Sequence, residues 1–135
     1  MAELTLAATI NELDQVIAFV DKQLETALCP MKIQMQIDIA VEEIYVNIAH
    51  YAYNPDVGPA TICVEVGNEP LQIIITFVDN GKPYDPLKKV DPDITKSAEE
   101  RDIGGLGIFM VKKTMDDIQY EYKDGRNILT LKKHL

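Results

Sequence analysis

The sequence has no tryptophan, only two cysteines, no apolar run long enough to cross a bilayer, and a shortage of basic residues that leaves a net charge of −9. Each shortage excludes something. Cys29 and Cys63 are too few for a disulfide framework and read as buried free thiols of a reducing compartment. With His50 and His134 they are also too scattered for a Cys/His metal site. The acidic balance argues against DNA or RNA as a main partner, because binding a phosphate backbone needs a basic surface. It leaves room for a single nucleotide, which needs only a local pocket of N–H groups and a cation. The N-terminus lacks a basic stretch followed by an apolar one, and no membrane span is present, so a cytoplasmic chain without membrane contact is expected.

What is there suits one globular domain over residues 1–135, with 47% apolar and 26% charged residues. Residues 3–6 alternate and predict a short strand. Asn11 is read as a helix cap, followed by Leu13, Val16, Ile17, Val20 and Leu24 at helical spacing, with Pro30 closing the segment. Ile33, Met35, Ile37 and Ile39 alternate as a strand would, but Ile37, Ala40, Val41, Ile44 and Ile48 fit a helix better. No Gly or Pro interrupts residues 31–53, which are read as one long helix. Strands are predicted over 61–66 and 71–78, joined by a hairpin turn at Gly67-Asn68-Glu69-Pro70. The second is nearly continuous apolar residues and predicts a central strand.

Between residues 82 and 102 three prolines and many charges break regular structure, apart from one helical turn expected over 97–101. A loop of this length is either a lid or binding segment, or disorder without function. Gly104-Gly105-Leu106-Gly107 ends it. A helix over 108–115 and strands over 118–122 and 128–132 complete the chain, the strands joined by Asp124-Gly125. One helical layer against one sheet is the economical packing. The expected fold class is α+β, a two-layer α/β sandwich whose mixed, mostly antiparallel sheet is covered by helices on one face.

Three stretches carry candidate chemistry. On the long helix Glu43 and Asn47 sit one turn apart, with His50 three residues further on. An amide oxygen is a hard ligand suited to magnesium, and a carboxylate one turn away can take a proton. An ordinary amphipathic helix with a polar flank is the alternative. Asp79 ends the central strand and is followed by Gly81. A carboxylate there suits an exocyclic amine such as adenine's, and the glycine lets a flat base approach, although Asp-Asn-Gly is also a good turn sequence. The glycine cluster before the third helix exposes consecutive N–H groups at a helix N-terminus, a place for phosphate, or else serves as a hinge. It is neither a Walker loop nor a Rossmann fingerprint.

In order, Glu43-x-x-x-Asn47, Asp79-x-Gly81-x-Pro83-Tyr84-Asp85-Pro86, Gly104-Gly105-Leu106-Gly107 and Asn127-x-x-Thr130 resemble the N, G1, G2 and final boxes of the GHKL ATPases. That superfamily includes gyrase, the MutL repair proteins and histidine kinases. The Asp-x-Gly-x-Pro-Tyr-Asp-Pro run and the compact size are similar to the branch of anti-sigma-factor serine/threonine kinases. The resemblance covers essentially the whole chain and implies a Bergerat-type fold, ATP and Mg2+.

It also implies roles for individual residues. Asn47 would hold the magnesium, and Glu43 would be the general base. Asp79 would read the adenine amine, Gly81 would leave room for the ring, Tyr84 would belong to the nucleotide site, and Thr130 would sit near the adenine. Gly104, Gly105, Leu106 and Gly107 would wrap the phosphates below a lid over 82–103. Arg101 would touch the terminal phosphate. His50 stands, with Tyr51, where many relatives carry Lys-His, and a neutral imidazole is the weaker phosphate ligand.

The implied activity is an ATP-dependent protein serine/threonine kinase acting as an anti-sigma factor. Its acceptor would be an anti-anti-sigma protein of the STAS fold, its second partner a sigma factor, and its expected state a homodimer. A non-catalytic, nucleotide-gated binding module and a histidine-kinase-like ATPase domain working in trans are the alternatives.

Overall fold

The computed structural model describes residues 1–88 and 105–135, with the side chain of Leu106 outside that description. In chain order the elements are strand β1 (Ala2–Ala7), helices α1 (Leu13–Thr26) and α2 (Met31–Tyr51), strands β2 (Pro59–Asn68) and β3 (Leu71–Asp79), helix α3 (Gly105–Thr114), and strands β4 (Asp117–Lys123) and β5 (Arg126–His134). The expected elements are present except the turn over 97–101, which lies outside the described residues.

Helix α1 buries Val16, Val20 and Leu24, spaced four apart on one stripe. Its start differs from expectation. Asn11 does not cap it; a short 3₁₀ turn, Ile10–Glu12, comes first, and its cap is Thr9. The cause is tertiary. The Tyr45 hydroxyl on α2 accepts from the Thr9 N–H at 3.1 Å and donates to the Thr9 carbonyl at 2.7 Å, which pins the chain before Asn11 is reached. The helix ends with Leu28 in the left-handed region (φ 57°) and the Cys29 N–H on the Leu24 carbonyl.

Helix α2 settles the ambiguous stretch. Ile37, Ala40, Val41, Ile44 and Tyr45 are buried, at helical spacing, while Met35 and Ile39 are each 59% exposed. The alternation of Ile33, Met35, Ile37 and Ile39 is therefore coincidental.

The five strands form one sheet in the order β1-β2-β3-β5-β4. Where a mixed, mostly antiparallel sheet was expected, every pairing among the described residues is antiparallel. The β2–β3 turn is shorter than its four-residue reading, since Gly67 and Asn68 belong to β2 and pair with Gln72 and Leu71. Asp124 and Gly125 both have positive φ (55° and 76°), the backbone of a tight hairpin that follows the sheet twist.

Alternation decides which residues reach the helices. Ile73, Ile75, Phe77 and Asp79 of β3 and Asn127, Leu129 and Leu131 of β5 are buried on the helical side. They join Val16, Val20, Leu24, Ile37, Ile44 and Ile108 in one core. Thr76, Val78, Ile128 and Thr130 alternate with them and lie on the other face, which stays partly exposed. The cysteines are free but only partly buried, short of the expected burial. Cys63 falls on the outer face of β2, where Ala60, Ile62 and Val64 take the inner positions.

Candidate functional site

The inward run of β3 ends not on a hydrophobe but on Asp79, which is only 5% exposed. A buried carboxylate needs partners, and here they are local. Its Oδ1 accepts from the Gly81 N–H and from the Asn127 side-chain amide, both at 2.9 Å. No donor among the described residues is recorded for Oδ2. Asn127 sits opposite Asp79 in the β3–β5 register. Its amide also donates to the Lys82 carbonyl at 2.8 Å, while its oxygen accepts from the Tyr84 N–H at 3.1 Å and from the Tyr120 hydroxyl. Burial is the main cause that pushes the Tyr120 phenol above its ordinary range, with the Asp85 and Asp79 carboxylates adding to it, so Tyr120 stays a donor at neutral pH.

These polar groups form one wall of an open cleft. Ile44, Ile48, Phe77 and Leu129 supply apolar surface, and Asn47 reaches the same cleft from α2. An apolar pocket with a few converging polar groups is the usual form of a small-molecule site. The Tyr84 ring also lines it and stacks on Tyr51, with centroids 5.5 Å apart and planes at 29°.

At Gly81 a Cβ would collide with the Ala52 backbone carbonyl, a packing reason for glycine at this position. The Lys82 N–H donates to that same carbonyl at 2.9 Å, so the chain leaving β3 is pressed against the end of α2. Tyr53 braces the corner: its hydroxyl donates to the Pro59 carbonyl at 2.5 Å and accepts from the Asn80 N–H at 2.7 Å.

One turn before Asn47, Glu43 accepts from the Asn47 side-chain amide at 3.5 Å. Its carboxylate lies against Gly107 in the first turn of α3, so the helix that follows the glycine cluster closes over the acid–amide pair.

The structure thus brings Asn47, Asp79 and Tyr84 to one cleft, Gly81 to its corner, and Glu43 together with Gly107 beside it. Gly105 begins α3. His50 is exposed, edge-on to Tyr51 at 6.0 Å, and does not line the cleft. Thr130 does not reach it either, because it faces Thr76 and Gln119 on the other side of the sheet. Arg101, Gly104 and most of the lid, residues 89–103, lie outside the described residues. Sequence reasoning gave no role to Asn127 or Tyr120. The signal was available: Asn127 is an odd number of residues from Thr130 on a strand, so only one of the two can face the helices. Among the described residues no group of three or more His, Cys, Asp and Glu side chains could hold a metal, and no helix is long and apolar enough to cross a membrane.

Comparison with known proteins points the same way. The family described as a histidine kinase-like ATPase domain matches residues 6–133. The serine-protein kinase RsbW of Bacillus cereus is 37% identical over 98 residues, 70% of this chain and 60% of RsbW. The serine/threonine-protein kinase BtrW of Bordetella bronchiseptica is 27% identical over 103 residues, 76% of this chain and 72% of BtrW. The chain therefore spans about 60% of the length of the RsbW relatives it matches. Among solved structures, a chain of the SiaB-SiaC complex from Pseudomonas aeruginosa has the same fold, with a TM-score of 0.60 and 14% identity over 98% of this chain and 89% of that one.

Proposed function

This chain belongs to the histidine kinase-like ATPase domain family, and on that premise we propose that it is an ATP-dependent serine/threonine protein kinase acting as an anti-sigma factor. It transfers the γ-phosphoryl group to a serine or threonine hydroxyl of a STAS-type anti-anti-sigma protein and holds a sigma factor in its other complex. The names of its relatives, serine-protein kinase and serine/threonine-protein kinase, support the activity. The observation behind the site is that Asp79 and Asn47, far apart in sequence, line one cleft.

In this reading adenine enters between the apolar surfaces of Ile48 and Phe77. Oδ1 of Asp79 is held by Gly81 and Asn127, which leaves Oδ2 to accept from the exocyclic amine. Thr130 and His50 take no part. The phosphates run along α2 toward the N-terminus of α3, where Gly105, Leu106 and Gly107 offer main-chain N–H groups. Gly104, Arg101 and the rest of the lid are assigned to the phosphates on resemblance alone.

Asn47 suits magnesium. Its Nδ2 is turned to Glu43, leaving one hard oxygen, and magnesium takes few protein ligands when phosphates and waters supply the others. When bound, the ion neutralises phosphate charge. Glu43 accepts the proton of the incoming hydroxyl as the oxygen–phosphorus bond forms and ADP leaves. A cytoplasmic homodimer is part of the same proposal.

Titration calorimetry with ATP and ADP, with and without magnesium, tests the pocket. A transfer assay with a STAS-domain acceptor tests the chemistry. Asn47→Ala is expected to abolish magnesium-dependent binding, and Glu43→Ala to keep binding and stop transfer. Binding without any phosphoprotein would make the domain a nucleotide-gated switch. An acid-labile product would make it a histidine-kinase-like domain.

A further inference from the structure

Among the described residues Gly58, Gly81 and Gly107 have no room for a Cβ: Gly58 faces the Tyr53 ring, and the other two are closed off for opposite reasons. At Gly81 the obstacle is backbone, which cannot move aside. At Gly107 a Cβ would overlap the carboxylate carbon and both oxygens of Glu43, the far end of a flexible side chain. Gly107 is the third residue of α3, where alanine is preferred to glycine on conformational grounds. Its lack of a Cβ is therefore not a backbone requirement. It opens a slot, and the slot is filled by the carboxylate that the kinase reading treats as the base.

We propose that Gly107 is the positioning residue for Glu43: its missing side chain forms the seat that holds the carboxylate beside Asn47, where an acceptor hydroxyl arrives. The Asn47 contact is a long one, 3.5 Å. The wall provided by α3 adds a steric constraint on the carboxylate, since any side chain at 107 would occupy its place. This rests on the kinase reading and adds to it, because it separates what Gly107 does for the base from what its N–H does for phosphate. Gly107→Ala keeps the N–H and disturbs only the seat.

The test compares the wild type with Gly107→Ala, Glu43→Ala and the double variant. Magnesium-ATP affinity is measured by calorimetry, transfer to a STAS-domain acceptor by rate, and the thermal midpoint by calorimetric scan. Gly107→Ala should bind ATP within about twofold of wild type but transfer about a hundredfold more slowly, the lower end of what a positioned general base contributes. Added to Glu43→Ala it should slow transfer no further, the non-additivity expected of two residues acting as a unit.

The thermal midpoint reads the contact without any activity. With Glu43 truncated, alanine at 107 should raise it by about 3 °C through helix preference alone, and with Glu43 present that gain should be absent. Wild-type transfer by Gly107→Ala, a tenfold or greater loss of ATP affinity, or equal midpoint shifts in both backgrounds would each overturn the proposal. If Glu43→Ala itself transfers normally, the base assignment has failed instead, and the thermal comparison still decides whether the seat exists.

Discussion

Asp79 and Asn127 face each other across β3 and β5, and the Asn127 amide donates to Asp79 Oδ1 at 2.9 Å. One carboxamide thereby serves three segments: the end of β3, the chain leaving it at Lys82 and Tyr84, and Tyr120 on β4. The polar wall of the cleft is assembled by the sheet itself.

Truncating that hub should therefore cost both stability and binding. Asn127→Ala removes the hydrogen bonds to Asp79, Lys82, Tyr84 and Tyr120, which predicts a loss of about 2 kcal/mol in denaturant unfolding. ATP affinity should fall about tenfold, because Asp79 is then held by the Gly81 N–H without the Asn127 amide.

Asp79→Asn tests base reading more directly. The amide keeps the volume but can turn a donor toward the adenine amine. ATP binding by calorimetry should fall by at least about a hundredfold, while the thermal midpoint moves by only a few degrees. Unchanged affinity would remove adenine from this end of the cleft.

Thr130→Val is expected to leave ATP affinity within about twofold of wild type. Thr130 lies on the sheet face away from the helices, opposite in direction to Asn127 and Leu129. A marked loss of affinity would mean that the nucleotide reaches through the sheet edge.

Gly81→Ala should lower stability by about 2 kcal/mol, in the range for forcing a carbon into a packed site. The obstructing group is the Ala52 carbonyl, which also accepts the Lys82 N–H and cannot withdraw freely. Chemical denaturation checks this. The same change at Gly107, where only a side chain stands in the way, should cost far less.

The α1–α2 contact carries a pH dependence of its own. Burial, followed by hydrogen bonding to and repulsion from Asp21, raises the Asp38 carboxyl to about 7. An Asp in the unfolded chain titrates at about 4. Between those values the folded protein keeps a proton that the unfolded chain releases, so this pair's contribution to stability is full below about 4, falls as pH rises, and is lost above about 7. The Asp38→Asn variant, which keeps a donor toward Asp21, should be more heat-stable than wild type at pH 8, with the difference shrinking toward pH 5. Equal differences at both pH values would show that the two carboxyls do not share a proton.

Several parts of this protein were legible in its residues. The α1 stripe, the long helix, the two hairpins and the order of elements follow from local periodicity and turn chemistry. So does the inward direction of Asp79, since it continues the Ile73, Ile75, Phe77 alternation. The start of α1 was misread, and the cause is tertiary: it is set by Tyr45 from another helix. The exposure of Met35 and Ile39, on which the local pattern is silent, is set by which side of α2 is packed.

Within the site, the sequence by itself determined which chemical groups are available and the order in which they come: an acid and an amide one helical turn apart, a carboxylate at a strand end, glycines at a helix start. Spacing along one element carries that information, because helix and strand geometry are local. Only the tertiary structure decided that Asn127 and not Thr130 stands beside Asp79, that Gly81 yields to a backbone carbonyl, and that Gly107 seats Glu43. Those relationships join residues from different elements, and they exist only once the helices have packed on the sheet and excluded water from between them.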